Sequence, residues 1–115
     1  MVEESLTLVG EDGQSQVVVK KGARLPASGR VVFATQRAGE RRLSLRLVEG
    51  AEGRLVATLT AELPPGLPAN CWLPVFVTVS ESGAVSVRVR ENLRRIDIEP
   101  TADTTGATAR TYKVG

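Results

Sequence analysis

The stretch Val31–Gly50, VVFATQRAGERRLSLRLVEG, decides the fold of this chain. Two segments of alternating apolar and polar residues flank a turn at Ala38-Gly39-Glu40. In the second segment, Leu43–Leu47, every odd position is apolar and every even position is polar. Because side chains alternate between the two faces of a strand, this pattern predicts a β-hairpin with one face buried and one face in solvent. We place this hairpin in the middle of a β-sandwich.

The same alternation recurs along most of the chain and predicts eight short strands. Turn signals such as Glu11-Asp12-Gly13 and Glu81-Ser82-Gly83 separate them, and no segment has a helical period. Short strands at regular spacing indicate an all-β fold, an antiparallel sandwich or barrel. The predicted strands are Ser5–Val9, Ser15–Lys20, Arg30–Thr35, Arg41–Val48, Arg54–Ala61, Leu73–Ser80, Ala84–Arg90 and Arg94–Glu99.

Three segments fall outside this pattern. Lys21–Gly29 is predicted to be a loop, and the prolines of Leu63–Asn70 exclude a helix or a central strand and predict a crossover loop. Residues 101–115 lack an apolar period, so we predict a folded domain over residues 1–100 and a flexible C-terminal tail. The alternatives for this tail are a late strand at Tyr112–Val114, a segment that belongs to a neighbouring domain, or one that occupies a neighbour's cleft or pairs with an edge strand.

The composition excludes several classes of function. The chain of 115 residues has a formal net charge of +2, so it is no strong polycation. No apolar run approaches the roughly 20 residues of a membrane span, and the acidic start MVEESL does not resemble a signal peptide. One cysteine, Cys71, cannot form an internal disulfide, which favours a reducing compartment. We therefore expect a cytoplasmic protein without a membrane partner.

The sequence offers no good candidates for catalytic residues. The absence of histidine excludes imidazole general bases, histidine-containing triads and most zinc sites. Cys71 stands alone beside Trp72, where a half-buried small apolar residue is the expectation. The basic residues lack interleaved aromatic side chains for stacking nucleic-acid bases, and no phosphate-binding loop is present. We expect no enzyme, no cofactor, no metal and no nucleic-acid partner.

A binding module is the better-supported class. A sandwich with long loops at one end can leave a cleft open there. An extended peptide could then pair its backbone with an exposed strand and place one side chain in an apolar pocket. Backbone pairing is insensitive to sequence, so the pocket would supply the preference.

Local signatures follow one another in a fixed order over about residues 5–99. They are Ser5-Leu6-Thr7-Leu8, the Glu11-Asp12-Gly13 turn followed by Val17-Val18-Val19 and Lys20-Lys21-Gly22, Leu25-Pro26, Val32-Phe33-Ala34-Thr35, Leu43–Leu47 leading to Val48-Glu49-Gly50, Leu63-Pro64-Pro65, Val75-Phe76-Val77, and Glu81-Ser82-Gly83-Ala84-Val85-Ser86-Val87. In order and spacing they resemble the substrate-binding β-sandwich domain of the 70-kilodalton heat-shock chaperones, the DnaK type. Neither the lid nor the nucleotide-binding domain of that family is present in this sequence.

The resemblance implies two four-stranded antiparallel sheets and a peptide cleft. This cleft would lie between the loop joining the first two strands and the loop joining the third and fourth. The pocket residues carried over from the family are Leu8, Phe33, Leu43, Leu45, Leu73 and Val75, with Glu11 and Gln36 closing an arch over the peptide and Thr7, Val9, Gly10 and Ala34 along its backbone. The implied function is chaperone-like holding of extended apolar peptides or unfolded protein segments, with an ATPase domain elsewhere in a full-length protein.

Two departures from the family pattern favour an alternative function. The arch residues Glu11 and Gln36 are polar where the family has apolar ones, and Leu43 is bulkier than the usual valine. The extra methylene takes up space that a peptide side chain would need. The alternative is a diverged, closed-cleft structural or protein-interaction domain of a larger chaperone-like protein. Alternation by itself already predicts core positions for Leu8, Phe33, Leu43, Leu45 and Val75.

Overall fold

The computed structural model describes residues 2–107 and 113–114. This part of the chain forms β-strands and no helix, so none of its segments is a helix long and apolar enough to cross a membrane. The strands are β1 (Leu6–Gly10), β2 (Ser15–Val19), β3 (Ala27–Ala34), β4 (Arg42–Glu49), β5 (Arg54–Glu62), β6 (Trp72–Val79), β7 (Ala84–Glu91), β8 (Ile96–Ile98), β9 (Thr101–Asp103) and β10 (Lys113–Val114).

The strands pair into two sheets that pack as a β-sandwich, which confirms the predicted fold class. The first sheet has the order β2-β1-β4-β5-β9, and the second has the order β10-β7-β6-β3 with β8 also paired to β7. Pairing is antiparallel except that β10 runs parallel to β7. Each sheet contains four of the eight predicted strands. β9 is the fifth strand of the first sheet, and β10 is the fifth strand of the second.

The segment predicted to be a flexible tail contains these two additional strands. Thr101–Asp103 pair with Thr58–Thr60 of β5, so the first sheet extends beyond the predicted domain boundary. Lys113–Val114 form β10, which agrees with the alternative of a late strand, although Tyr112 lies outside the described residues. The prediction of flexibility for residues 108–112 and 115 likewise falls outside them. Apolar patterning could not indicate β9, because Ala102 is its only apolar residue and its pairing depends on the free edge of β5.

β3 begins at Ala27, inside the predicted loop Lys21–Gly29. Its first residues pair with Val77–Val79 of β6. The misleading signal is Gly29, which looks like a turn residue in the sequence. A Cβ at this position would lie 1.7 Å from the carbonyl oxygen of Val18, so the glycine allows β2 to approach β3 closely.

β8 is shorter than the predicted strand Arg94–Glu99. The Glu91 side chain at the end of β7 is fully buried, and its two carboxylate oxygens accept hydrogen bonds from the backbone N–H groups of Leu93 (2.8 Å) and Arg94 (2.9 Å). Arg95 then has a φ of 55°, in the left-handed region. These bonds hold a turn where the alternating pattern predicted strand, so pairing resumes only at Ile96.

The core lies between the sheets and consists almost entirely of aliphatic side chains. Alternation places them correctly: Val31, Phe33 and Thr35 are buried, whereas Val32 is half-buried and Ala34 is exposed. Leucines dominate the first sheet and valines the second. The largest fully buried aliphatic side chains are Val2, Leu6, Leu8, Leu47, Leu59, Leu67, Leu73, Val75, Val77, Val79 and Val85.

Candidate functional site

A shallow cleft opens at one end of the sandwich, between the β1–β2 loop (residues 11–14) and the β3–β4 loop (residues 35–41). Its volume is about 40 Å³, and its walls come from three separate segments of the chain. Six of the twelve residues predicted for the site surround it: Gly10, Glu11, Phe33, Ala34, Gln36 and Leu43. The two loops therefore meet where the resemblance predicted a cleft.

Of the remaining six, Thr7 and Val9 are half-buried in β1 and do not line the cleft, and the other four are core residues. The relative exposure is 0% for Leu8, Leu73 and Val75 and 3% for Leu45. They face the opposite sheet and pack within the hydrophobic cluster. This is the placement that alternation alone predicts, and it leaves these side chains no surface with which to contact a peptide.

The β1–β2 loop forms one wall of the cleft. Backbone hydrogen bonds tie it to the strand ends, from Gly10 N–H to the Gln14 carbonyl (2.8 Å), and the Gln14 N–H donates to Asp12 Oδ1 (3.0 Å). A Cβ on Gly10 would lie 3.0 Å from Asp12 Oδ1 and 3.3 Å from Phe33 Cε1. The missing side chain of Gly10 therefore keeps part of the space beside the Phe33 ring open.

The β3–β4 loop forms the other wall, and a carboxylate holds its shape. Glu40 Oε1 accepts hydrogen bonds from the backbone N–H groups of Gln36 and Arg37, both at 3.1 Å. Gly39 has a φ of 78° and donates its N–H to the Leu67 carbonyl at 2.7 Å. Charge-assisted bonds of this kind are stronger than neutral ones, so this wall has a defined shape before any ligand binds.

Thr35 connects this loop to the proline-rich segment. Its hydroxyl is buried, donates to the Pro68 carbonyl (2.7 Å) and accepts from the Cys71 N–H (2.9 Å). The Thr35 backbone adds two bonds, from its N–H to the Cys71 carbonyl (3.0 Å) and from the Asn70 N–H to its carbonyl (2.8 Å). The crossover loop therefore acts as a brace behind the cleft.

Two hydrophobic side chains limit the depth of the cleft. Phe33 is 5% exposed, and Leu43 is half-buried and packs against the core cluster. Because one water molecule needs roughly 10–15 Å³ of such space, a cleft of about 40 Å³ has room for about three or four groups of that size. The three side-chain carbons of valine fit within this space, and the four of leucine would fill it.

The rim of the cleft is charged and continues into a wider depression of about 480 Å³. Arg42 and Glu62 form an exposed ion pair there, with 3.2 Å between Nη2 and Oε1. The arch residues Glu11 and Gln36 line both spaces. Sequence reasoning missed the other polar lining residues of the cleft, although each lies within three positions of a predicted one: Asp12, Gln14, Glu40, Arg42 and Ser44.

Because the chain has no histidine, its potential metal ligands are carboxylates and the Cys71 thiol. Within the described residues, no group of three or more cysteine, aspartate or glutamate side chains could hold a metal ion. Burial raises the pKa of the Cys71 thiol, and the negative charge of Glu91 raises it further. A raised pKa keeps the thiol protonated at neutral pH, so Cys71 is a poor nucleophile.

A larger groove of about 610 Å³ lies at another edge of the sandwich, beside β5, β7 and β9. None of the predicted site residues lines it. Its lining residues are Leu59, Thr78, Ser86, Val87, Arg88, Glu99, Pro100, Ala102 and Val114, of which only Arg88 and Glu99 carry a charge.

Comparison of the sequence with protein-family models and with curated proteins found no match. The DnaK-type resemblance therefore stays a prediction based on the signatures quoted above.

Proposed function

We propose that this domain is a chaperone-like polypeptide-binding module that holds extended segments in the cleft and performs no catalysis itself. The observation that carries the proposal is the convergence of six residues from the strand ends 10–11, 33–36 and 43 on one opening. Binding of an extended chain needs a preformed opening with an apolar floor and polar groups around it, and this end of the sandwich has both.

The size of the opening sets the expected preference. The floor formed by Phe33 and Leu43 is apolar, and about three or four carbon-sized groups fit above it. A valine side chain fits this space more easily than the larger leucine side chain, which would fill it. The charged rim would remain in contact with the peptide backbone and with polar flanking residues.

The partners in this proposal are extended apolar peptides or unfolded protein segments in the cytoplasm. The single cysteine, Cys71, is consistent with a reducing compartment. An ATPase domain in a longer chain is the further partner that the resemblance implies. The proposal includes no cofactor, no membrane partner and no nucleic-acid partner.

A second candidate is a closed-cleft structural or protein-interaction domain. The observation that favours it is the small volume of about 40 Å³, which Leu43 and Phe33 restrict from below. In this case the cleft would be a vestige, and the domain would act through another surface. The two candidates differ in whether any peptide binds above Leu43.

Fluorescence anisotropy of labelled heptapeptides separates these candidates. Two peptides are compared, one with valine and one with leucine at the centre, each titrated with the wild-type domain, Leu43→Ala and Leu43→Asp. The matched control is Leu93→Asp, because Leu93 is 66% exposed in the β7–β8 turn and does not line the cleft. Circular dichroism establishes that each variant is folded.

The polypeptide-binding proposal predicts saturable binding of the valine peptide to the wild-type domain and to Leu93→Asp, and loss of this binding in Leu43→Asp. Leu43→Ala removes three carbons from the floor and should reverse the preference in favour of the leucine peptide. Absence of saturable binding by both the wild type and Leu43→Ala would eliminate this proposal and leave the closed-cleft candidate.

A further inference from the structure

The outer face of the second sheet combines aromatic and arginine side chains that are far apart in sequence. Strand register places Phe76 of β6 between Arg30 of β3 and Arg88 of β7. Because paired residues point to the same side of a sheet, all three side chains lie on the outer face. Trp72 lies on this face four positions before Phe76 in β6, and Arg90 lies on it two positions after Arg88 in β7. We call these five residues the aromatic–arginine face.

Both aromatic side chains of this face are exposed to an unusual degree. Trp72 is 70% exposed and Phe76 is 37% exposed, and the Arg30 guanidinium lies 5.9 Å from the centroid of the Phe76 ring. Large contiguous apolar surfaces on a domain commonly mark interaction sites. The outer face of the first sheet differs, because register there aligns Val9, Arg46 and Thr58 without an aromatic residue.

The charge of the face is positive in balance. Two carboxylates lie near its three arginines, because Asp97 is opposite Arg90 in the register of β7 and β8 and Glu99 lines the same groove as Arg88. Neither carboxylate forms an ion pair with these arginines, since the ion pairs found among the described residues are Arg42–Glu62 and Arg54–Glu52. The guanidinium groups of the face therefore outnumber the nearby carboxylates, and Arg30 and Arg88 flank the Phe76 ring.

We propose that the aromatic–arginine face docks an acidic polypeptide, in which carboxylate side chains alternate with apolar ones. Carboxylates would pair with Arg30, Arg88 and Arg90, and an apolar side chain would cover Trp72. Tryptophan and arginine are the residue types that most often carry binding energy at protein interfaces. Carboxylate is also the group that the planar guanidinium fork binds best among protein side chains.

Two other occupants fit this surface less well. A second copy bound symmetrically about Phe76 would place Arg30 and Arg88 against arginines of the partner, which repel one another. Single-stranded nucleic acid binds through several stacking platforms and phosphate contacts. Here Arg30 already covers the Phe76 ring, which leaves Trp72 as the single free platform beside three cations.

The proposal can be separated from the cleft by substitution, although the two surfaces adjoin where Trp72 pairs with the cleft residue Ala34. Leu43 contributes to the cleft floor from the first sheet, whereas Arg88 and Arg90 lie in the middle and at the end of β7 in the second sheet and do not line the cleft. Substitution of Leu43 should therefore leave docking of the acidic peptide unchanged. Substitution of the β7 arginines should leave binding of the cleft peptides unchanged.

Trp72 gives a direct reporter, since it is the only tryptophan of the chain. The probe is a synthetic nonapeptide of alternating glutamate and leucine. Its counterparts are the same peptide with lysine in place of glutamate and a ten-nucleotide single-stranded oligothymidylate. Each is titrated at low salt while Trp72 emission and its quenching by acrylamide are recorded, and the anisotropy of the labelled probe gives the affinity.

We expect the glutamate peptide to shift Trp72 emission to shorter wavelength, to protect it from acrylamide, and to bind more weakly as salt is raised. The variant Arg88→Gln/Arg90→Gln should lose at least about tenfold in affinity. The matched control Arg24→Gln/Arg46→Gln, at two exposed arginines outside the face, should bind like the wild type.

The variant Trp72→Ala, followed by anisotropy alone, should lose about tenfold or more, and Val17→Ala, at an exposed apolar residue of the other sheet, should lose none. Three results would overturn the proposal. They are no saturable change with the glutamate peptide, equal affinity for the lysine peptide, and tighter binding of the oligothymidylate, which would assign the face to nucleic acid.

Discussion

Replacement of Thr35 by valine tests how the cleft is held in place. The two side chains have nearly the same shape, so the substitution removes the hydroxyl and little else. In the structure this hydroxyl donates to the Pro68 carbonyl at 2.7 Å and accepts from the Cys71 N–H at 2.9 Å. Thr35 is 1% exposed, so water cannot replace the lost partner without entering the core.

The magnitude follows from the two bonds. An orphaned buried N–H at Cys71 costs about 1–3 kcal/mol, and the bond to the more exposed Pro68 carbonyl contributes about another 0.5–1.5 kcal/mol. We therefore expect Thr35→Val to lower the free energy of unfolding by about 2–4 kcal/mol. That is a large part of the roughly 5–15 kcal/mol typical of a single domain.

The assay is urea-induced unfolding monitored by far-ultraviolet circular dichroism. Thr35→Ser is the matched control, because it keeps the hydroxyl and loses only a methyl group, at a cost of about 1 kcal/mol. The valine variant should be clearly the less stable of the two. If Thr35→Val were as stable as Thr35→Ser or more so, the hydroxyl would not brace the cleft as described.

Three other predictions concern the cleft, the sandwich edge and the thiol. Gly10→Ala should weaken binding of the valine heptapeptide while the domain stays folded, because the added Cβ would contact the Phe33 ring at 3.3 Å from Cε1. Gly29→Ala should destabilise the fold by about 3 kcal/mol or more in urea unfolding, because its Cβ would lie 1.7 Å from the Val18 carbonyl oxygen. Cys71 should react with a disulfide reagent at pH 8 at least about tenfold more slowly in the native state than in urea, because burial raises its pKa and only the thiolate reacts.

Each of these predictions has its own control and its own contrary result. The control for Gly29→Ala is Gly13→Ala, which lies in open space with a φ of 83° and should lower the free energy of unfolding by only about 1–2 kcal/mol. If Gly29→Ala lost no more stability than this control, the close approach of β2 to β3 would be contradicted. Undiminished peptide binding by Gly10→Ala would place the ligand elsewhere. Equal labelling rates of Cys71 in the native and unfolded chain would contradict its burial.

The strands were predictable because one physical pattern dominates them. Leu43–Leu47 of β4 and the valines of β6 and β7 alternate cleanly, and the structure buries one face of each of these strands. The predicted strand boundaries are wrong where pairing with a neighbouring strand, rather than the alternation of apolar and polar residues, determines the extent of a strand. Gly29 belongs to β3 because it pairs with Val77 of β6, and Thr101–Asp103 pair because β5 offers them a free edge.

The location of the cleft was predictable from the resemblance, but its volume was not. The volume depends on how Phe33 and Leu43 pack against each other and on the space left by Gly10, which are tertiary properties. Polar lining residues such as Glu40 were missed for a related reason. The role of Glu40 depends on backbone N–H groups that the folded loop turns towards its carboxylate.

The aromatic–arginine face could not be predicted from the sequence. Along the chain, the arginines and the aromatic residues are not interleaved, and this pattern predicts no stacking surface. Register brings Arg30 and Arg88 to either side of Phe76 from strands that are far apart in sequence. Such a juxtaposition across strands has no local signal in any one of them.

Two-dimensional amide NMR during titration with the valine-centred heptapeptide would show whether an extended peptide binds in the cleft. Binding there should produce saturable shifts at the amides of Gly10, Glu11, Ala34, Gln36 and Leu43, with those of Ser86 and Leu93 unchanged. Absence of saturable shifts at the cleft residues, or shifts confined to the far edge around Ser86, would contradict binding in the cleft.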